Sequence, residues 1–400
     1  MTDGPASGAS QTEVPRAYRD GYARARAIDP QMADRYIAHT RMGDPLADAV
    51  VAELANHSAE EAQHWIATGI EQGLAAIPDA PPATRAFFEA VETPPDWFDP
   101  ARTGPGCRGF HRHSEMFLGA FVGAVLIEGF STLISQSFSI TGRIVDSGVR
   151  RLKQNNRHLV EIFMPGGLDR DGDGWKLSIR IRLVHARVRH MLDGAPDWDP
   201  DWGLPLSSAH ISYATAAFSG LLLYRARMLG VHLTPEEEES FMMIWRYSGH
   251  LMGVPEEMQC GSLDSALHLQ KIGHICEPPP TLEAILLCNG LINSAPVVAG
   301  IDKPRSRKAL TRYIYRVSRA MIGDEMADAL NYPRMRTFGT LTTIRAKNRG
   351  EALLYRMVPK LGARNRAKQF QTMLDVSFHD PEGIGYRLPR HLHAERDGLL

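Results

Sequence analysis

A histidine set inside an apolar helical stripe is the first residue placed to do chemistry. In Lys176–Leu192, KLSIRIRLVHARVRHML, a 3.6-residue period puts Leu177, Ile181, Val184, Val188 and Leu192 on one face. His185 falls on that face, between Ile181 and Val188, while Arg180, Arg187 and His190 lie elsewhere. An imidazole facing a core must satisfy its nitrogens, either by hydrogen bonds or by ligating a metal. Spacing leaves both open, and the hydrogen-bonded core histidine is the simpler reading. The preceding segment, Val149–Phe163, carries Val149, Leu152, Leu159, Val160 and Phe163 on its apolar face, with Asn156 on the stripe. Arg150, Lys153 and Arg157 flank it, a cationic row that suits an anion or carboxylate, or a solvated face. Glu128 is the only charge between Met116 and Thr141. Desolvation there raises a carboxyl pKa and suits acid–base work. The plainer reading ties Glu128 to an arginine such as Arg143.

Other motifs carry less. Asp169, Asp171, Asp173 and Gly174 open like a calcium loop, but its twelfth position is Arg180 instead of a bidentate glutamate. Glu61-Ala62-Gln63-His64 is an ExxH without the second copy a di-iron bundle needs. His111 with His113, and His391 with His393, form HxH pairs in expected loops. Gly104, Gly106 and Gly109 spell GxGxxG after a proline-rich loop rather than a strand, so a flexible loop is the better reading. GxSxG and P-loop patterns do not occur.

The elements that position these residues are helices. Expected helices cover Asp44–Ile70, Met116–Thr141, Val149–Phe163, Lys176–Leu192, Ser207–Leu229, Thr234–Met252, Leu282–Leu291 and Arg305–Ile322, and no convincing strand alternation interrupts them. Thr234-Pro235-Glu236-Glu237 is a capped helix start, and Gly230 and Gly253 close helices. The 400 residues, 44% hydrophobic and 23% charged, exclude disordered and fibrous classes. A net charge of -1 argues against a dedicated nucleic-acid binder. Four scattered cysteines without a CxxC pair argue against a zinc ribbon or disulfide framework and fit a reducing compartment. The opening MTDGPASGASQTEVP has no basic or apolar region of a secretory signal. Met116–Thr141 is read as a buried helix, not a span, and the basic helix from Arg305 as a solvated face rather than a membrane surface. The resulting organisation is a tail over 1–15, one mostly α domain over 16–378 and a polar tail over 379–400.

With these residues in place, the chain resembles the catalytic-domain family of latex clearing proteins (bacterial rubber oxygenases) and the fungal oxygenase MpaB. The stretches carrying the resemblance are Thr141–Arg143, Arg150–Arg157, Gly174–Leu192, Trp202–Ser219, Leu229–Phe241 and Trp245–Met258. It is strongest over 110–260. The resemblance implies an all-α fold with a globin-like core holding haem b. The histidine of the R-L-x-H-A-x-V-R stretch, here His185, is then the proximal iron ligand. Of the Arg-x-x-Lys-Thr near the haem, Arg150 and Lys153 match, while Gln154 takes the threonine position. Glu128 is the nearest match to an upstream catalytic glutamate.

The expectation is a cytoplasmic haem b oxygenase with His185 as metal and cofactor ligand, Arg150 and Lys153 at the cofactor, and Lys153, Arg150 and Glu128 in catalysis. Its partners are dioxygen and an apolar small molecule, isoprenoid or otherwise unsaturated, rather than external rubber, with no nucleic acid, no membrane and an electron donor unassigned. Gln154 keeps open a non-enzymatic helical haem- or lipid-binding protein. A non-haem iron oxidase built on His64 is the other alternative.

Overall fold

The computed structural model describes residues 13–141, 148–377, 388–389 and 391. The N-terminal third holds α1 (Arg19–Arg26), α2 (Pro30–His39), α3 (Pro45–Leu54), α4 (Ala59–Gln72) and α5 (Pro82–Glu92). Next come α6 (Gly104–Arg112), α7 (Ser114–Ala120), α8 (Leu126–Phe130) and α9 (Ile134–Ile140). The middle is α10 (Gly148–Ile162), α11 (Asp173–Leu192), α12 (Ser208–Ala216), α13 (Leu222–Leu229) and α14 (Pro235–Leu251). The chain continues through α15 (Leu263–Cys276), α16 (Leu282–Val298), α17 (Pro304–Ile322), α18 (Asp324–Ala329), α19 (Thr340–Met357) and α20 (Pro359–Ser377). No strand occurs among the described residues, and a single continuous core joins these helices. The all-α, single-domain expectation holds. Residues 1–12 of the expected N-terminal tail, and most of 379–400, lie outside the described residues.

Local signals set the helix ends. The Thr234 side chain accepts from Glu237 N, and the Glu237 side chain accepts from Thr234 N, closing a capping box with Pro235 in the first turn. Gly230 ends α13 in the left-handed region, with φ of 107°. The expected Asp44–Ile70 helix is two helices. Asp44 caps α3 through Ala47 N, and a second capping box at Ser58 and Glu61 restarts the chain as α4. Glu61 is thus spent on the backbone and His64 is exposed, so the ExxH is a helix start. Met116–Thr141 is likewise broken. A π turn at Phe121–Val125 joins α7 to α8, and Ser131–Leu133 separates α8 from α9. No single helix among the described residues is long and apolar enough to cross a membrane. One pair, Pro100–Arg112 with Ser114–Phe130, passes jointly by length and composition but is bent by 80°.

The expected glycine loop is helix α6, and its glycines serve packing. A Cβ on Gly106 would sit 2.8 Å from Phe241 N, and one on Gly109 would sit 2.9 Å from the Leu233 side chain. Their absence lets α6 lie directly on α14, where Ser240 Oγ accepts from Gly106 N at 2.8 Å. Above this contact Phe110, Phe163 and Phe241 stack, with ring centroids 4.5 and 4.9 Å apart, fixing the C-terminal end of α10 in the core.

Candidate functional site

The pair α10–α11 carries the sequence-derived candidates, and a buried bond sets its register. His158 Nε2 lies 3.0 Å from Ser178 Oγ. The Ser178 hydroxyl donates to Gly174 O, so the Nε2–H of His158 is the donor to Ser178 Oγ. α10 and α11 pack on one another, and this bond is a fixed point between them. Lys153 is half-buried and Gln154 exposed. Arg157 Nε lies 3.7 Å from Glu161 Oε1. The Arg150 side chain and Arg143 lie outside the described residues.

Burial pushes the His158 pKa down to about 4. Because this lies below the unfolded value, the stabilising contribution is present above pH ~6.5 and is lost as pH falls toward ~4. Wild-type stability should drop by about 2 kcal/mol between pH 7.5 and 5 on this account. His158→Gln keeps a donor without the titration, so its urea midpoint should change less over the same interval. Equal pH slopes for the two proteins would remove His158 from the explanation.

His185 is half-buried on a stripe of different character from the one its apolar neighbours suggest. Ser178, Arg182, His185 and Arg189 follow one another at helical spacing. Arg182 makes a bidentate pair with Asp44, Nε to Oδ2 at 2.5 Å and Nη2 to Oδ1 at 2.9 Å. Arg189 donates from Nη2 to Asp48 Oδ1 at 2.7 Å and from Nη1 to Leu206 O at 2.5 Å. These two clamps fasten α11 to the start of α3 on either side of His185. Gly253, with φ of 82°, passes under the first of them; a Cβ there would meet Asp44 Oδ2 at 2.1 Å. Together with Ile211 and Met252 these residues line a narrow recess at His185 with about 10 Å³ of free volume.

A haem requires an axial donor, apolar walls and cations for its carboxylates. The donor set fits in kind: one imidazole on α11, with Lys153 on the neighbouring helix. The recess on the Asp44 side does not supply the space: its free volume of about 10 Å³ is far below the roughly 300 Å³ at which small-molecule pockets begin. Its arginines are also already held by Asp44 and Asp48.

Glu128 receives the plainer of its two sequence readings, with a different partner. Arg225 Nη2 donates to Oε1 at 2.5 Å and Nε to Oε2 at 3.1 Å, so both carboxylate oxygens are engaged. Arg225 also donates to Met321 O. The pair ties α8 to α13 and to the end of α17, with Arg225 in the place that Arg143 was expected to take. Nothing in periodicity links residues 97 positions apart.

A second buried polar centre escaped the sequence reading. Glu277, at the end of α15, accepts from Tyr36 OH at 2.8 Å and from Leu133 N at 3.0 Å, with His210 Nε2 at 3.4 Å. Tyr18 OH lies 3.1 Å from the same His210 nitrogen. Burial alone would raise the Glu277 pKa, but His210, the Leu133 N–H and Tyr36 hold its carboxyl below the usual range. Its only sequence mark is its place before Pro278-Pro279-Pro280.

The weak metal motifs do not assemble. Among the described residues no three of His, Cys, Asp and Glu gather around a common point. His111 lies in α6, not a loop, with Nε2 2.9 Å from Phe163 O; His113 Nε2 lies 3.2 Å from His232 O. Asp173 begins α11, which replaces the second half of a calcium loop. His393 lies outside the described residues.

An all-helical fold with a histidine on a clamped central helix defines the class on which comparison with known proteins bears. The family model for the ER-bound oxygenase mpaB/B'/Rubber oxygenase catalytic domain matches residues 108–346, and the chain belongs to that family. This places it among enzymes of the oxygenase class. It is 24% identical over 303 residues to the rubber oxygenase of Streptomyces sp. (strain K30), covering 72% of this chain and 70% of that one. The fold is similar to that of latex clearing protein in its closed state, with a TM-score of 0.63 and 21% identity over 84% of this chain and 89% of that one. The match extends well past residue 260, where the recognisable motifs thin out.

Proposed function

We propose that this chain is a cytoplasmic haem b-dependent oxygenase acting with dioxygen on an apolar, unsaturated small molecule. The observation that carries this reading is His185, in the family's R-L-x-H-A-x-V-R stretch and at the centre of a helix clamped on both sides. Haem, when bound, supplies oxygen activation at its iron. The protein's part is an imidazole donor on a fixed helix and surroundings from which water is largely excluded. The absorption spectrum of the purified full chain tests the proposal. A Soret band is expected, together with oxygen uptake when unsaturated terpenoids or fatty acids are added. Haem-free protein from haem-replete cells, unable to take up haem afterwards, overturns it. The non-haem alternative lacks support in the geometry, because Glu61 caps α4 and His64 is exposed.

Lys153 is proposed to face the cofactor from α10. Lys153→Ala should then shift the ferric spectrum or lower oxygen uptake severalfold while haem content stays the same. Identical spectra and identical oxygen uptake return Lys153 to an ordinary half-buried surface position.

A further inference from the structure

The segment 340–368 differs in charge from the rest of the molecule. It holds eight Lys or Arg residues and one acid, Glu351, for a net charge of +7 in a chain whose total is -1. Glu351 lies 3.7 Å from Lys347. The segment comprises α19 and the first half of α20, which meet at a corner with only Val358 between them. Both flanks are anchored. Asn348 Nδ2 donates to Leu229 O, holding α19 on α13, and Met373 is buried near the far end of α20.

Among the described residues the corner itself is apolar and uncovered. Leu353, Leu354, Met357, Val358 and Leu361 are all exposed, Leu353 at 59% and Met357 at 67%. Large apolar residues exposed singly are ordinary, but five within nine positions form a patch that implies a partner. Exposed cations border it: Lys347 and Arg349 on α19, Lys360, Arg364 and Lys368 on α20. The neighbouring α17, packed on α19, adds Arg305, Lys308, Arg312 and Arg316 on its exposed face.

We infer that this corner docks on an anionic lipid bilayer surface, its aliphatic knob entering the headgroup boundary while the surrounding cations meet lipid phosphates and carboxylates. The chemistry selects this partner. The exposed knob residues are aliphatic or thioether, and the aromatics nearby in sequence or on α17, Tyr355, Tyr313 and Phe338, stand singly rather than as the run of stacking platforms that single-stranded nucleic acid uses. A knob ringed by cations matches the two attractions of an interfacial anchor, apolar burial and charge. The contact is peripheral rather than spanning, and it reverses the sequence-based reading of the basic helix from Arg305 as a solvated face. It does not depend on the oxygenase reading.

Flotation of the full chain with vesicles of phosphatidylcholine, with or without 30% phosphatidylserine, tests the inference. Binding is expected to the anionic vesicles at 50 mM salt, with much less to the neutral ones and much less at 500 mM salt. Each basic residue near such a surface is worth about fivefold in partitioning, so K360Q/R364Q should bind about thirtyfold more weakly. M357S/L361S should also lose binding. On the wild type, hydrogen exchange across 353–361 should slow when anionic vesicles are added, a readout independent of how the variants fold. No vesicle binding at low salt, or equal binding by the variants, overturns the inference. So does a dimer dispersed by M357S/L361S without any vesicle binding, which would assign the patch to a second copy of the chain. Binding to nucleic acid but not to vesicles overturns it as well.

Discussion

His185→Ala is expected to purify without a Soret band while keeping the helical content and urea midpoint of the wild type nearly intact. The size of the effect follows from ligation: with one axial donor in the proposed site, removing it removes the bond that holds the iron. The fold should survive because α11 does not depend on His185. Arg182–Asp44 and Arg189–Asp48 fasten the helix on either side, and Ala186 and Leu183 remain buried in the core. His185 is itself only half-buried, so truncation leaves no sealed cavity. Absorption and circular dichroism on the same sample provide the check. Full haem occupancy with an unchanged spectrum in the variant rejects His185 as the ligand. Loss of haem together with loss of helix would show instead that the imidazole holds the fold.

The largest expected loss of stability belongs to Glu277→Ala. Removing the carboxylate strands Tyr36 OH, Leu133 N and His210, all buried, where each had an acceptor. Breaking one side of a buried polar cluster of this kind costs about 3–5 kcal/mol. The segments it joins are far apart in sequence: α2, the break before α9, the start of α12 and the end of α15. Tyr36→Phe deletes only one bond and should cost about 1 kcal/mol. Chemical denaturation of the three proteins measures the differences, and a loss for Glu277→Ala no greater than that for Tyr36→Phe contradicts the network as described. The pH dependence has a definite sign. Glu277 has a lower pKa folded than unfolded, so its contribution is present above the unfolded carboxylate range of about 4.3. It disappears as pH falls through the lower folded value, and Glu277→Ala should lack that part of the acid sensitivity.

Much of the helical framework is legible along the chain, because helix ends are local. Thr234 with Glu237 and the glycines after α13 and α14 act within a turn or two of themselves. The 3.6-residue pattern likewise places α10, α11 and α17 within a few residues of their observed limits. His185 too was marked by type and spacing, as a polar ring where an apolar one fits the period. The same pattern overran its reach at Asn56–His57–Ser58 and at Ser131–Leu133. There, apolar residues continue on both sides of a break and periodicity cannot tell one helix from two. It also misread Gly104–Gly109, since a glycine that permits a loop also permits a close helix contact. That choice was made by Ser240 and Phe241, more than a hundred residues away.

What the sequence determined by itself is therefore the class of fold, most helix limits and the identity of the histidine to watch. Tertiary structure decided the partners. Arg182 and Arg189 were visible only as charges on a helix until Asp44 and Asp48 arrived from α3. Glu128 was a lone acid until Arg225 closed on it, and Glu277 had no mark beyond three prolines until Tyr36, Leu133 and His210 converged. The physical reason is that helix formation is governed by contacts within a turn, whereas a buried charge is settled by whichever complementary group the packing delivers. No local pattern records which group that is.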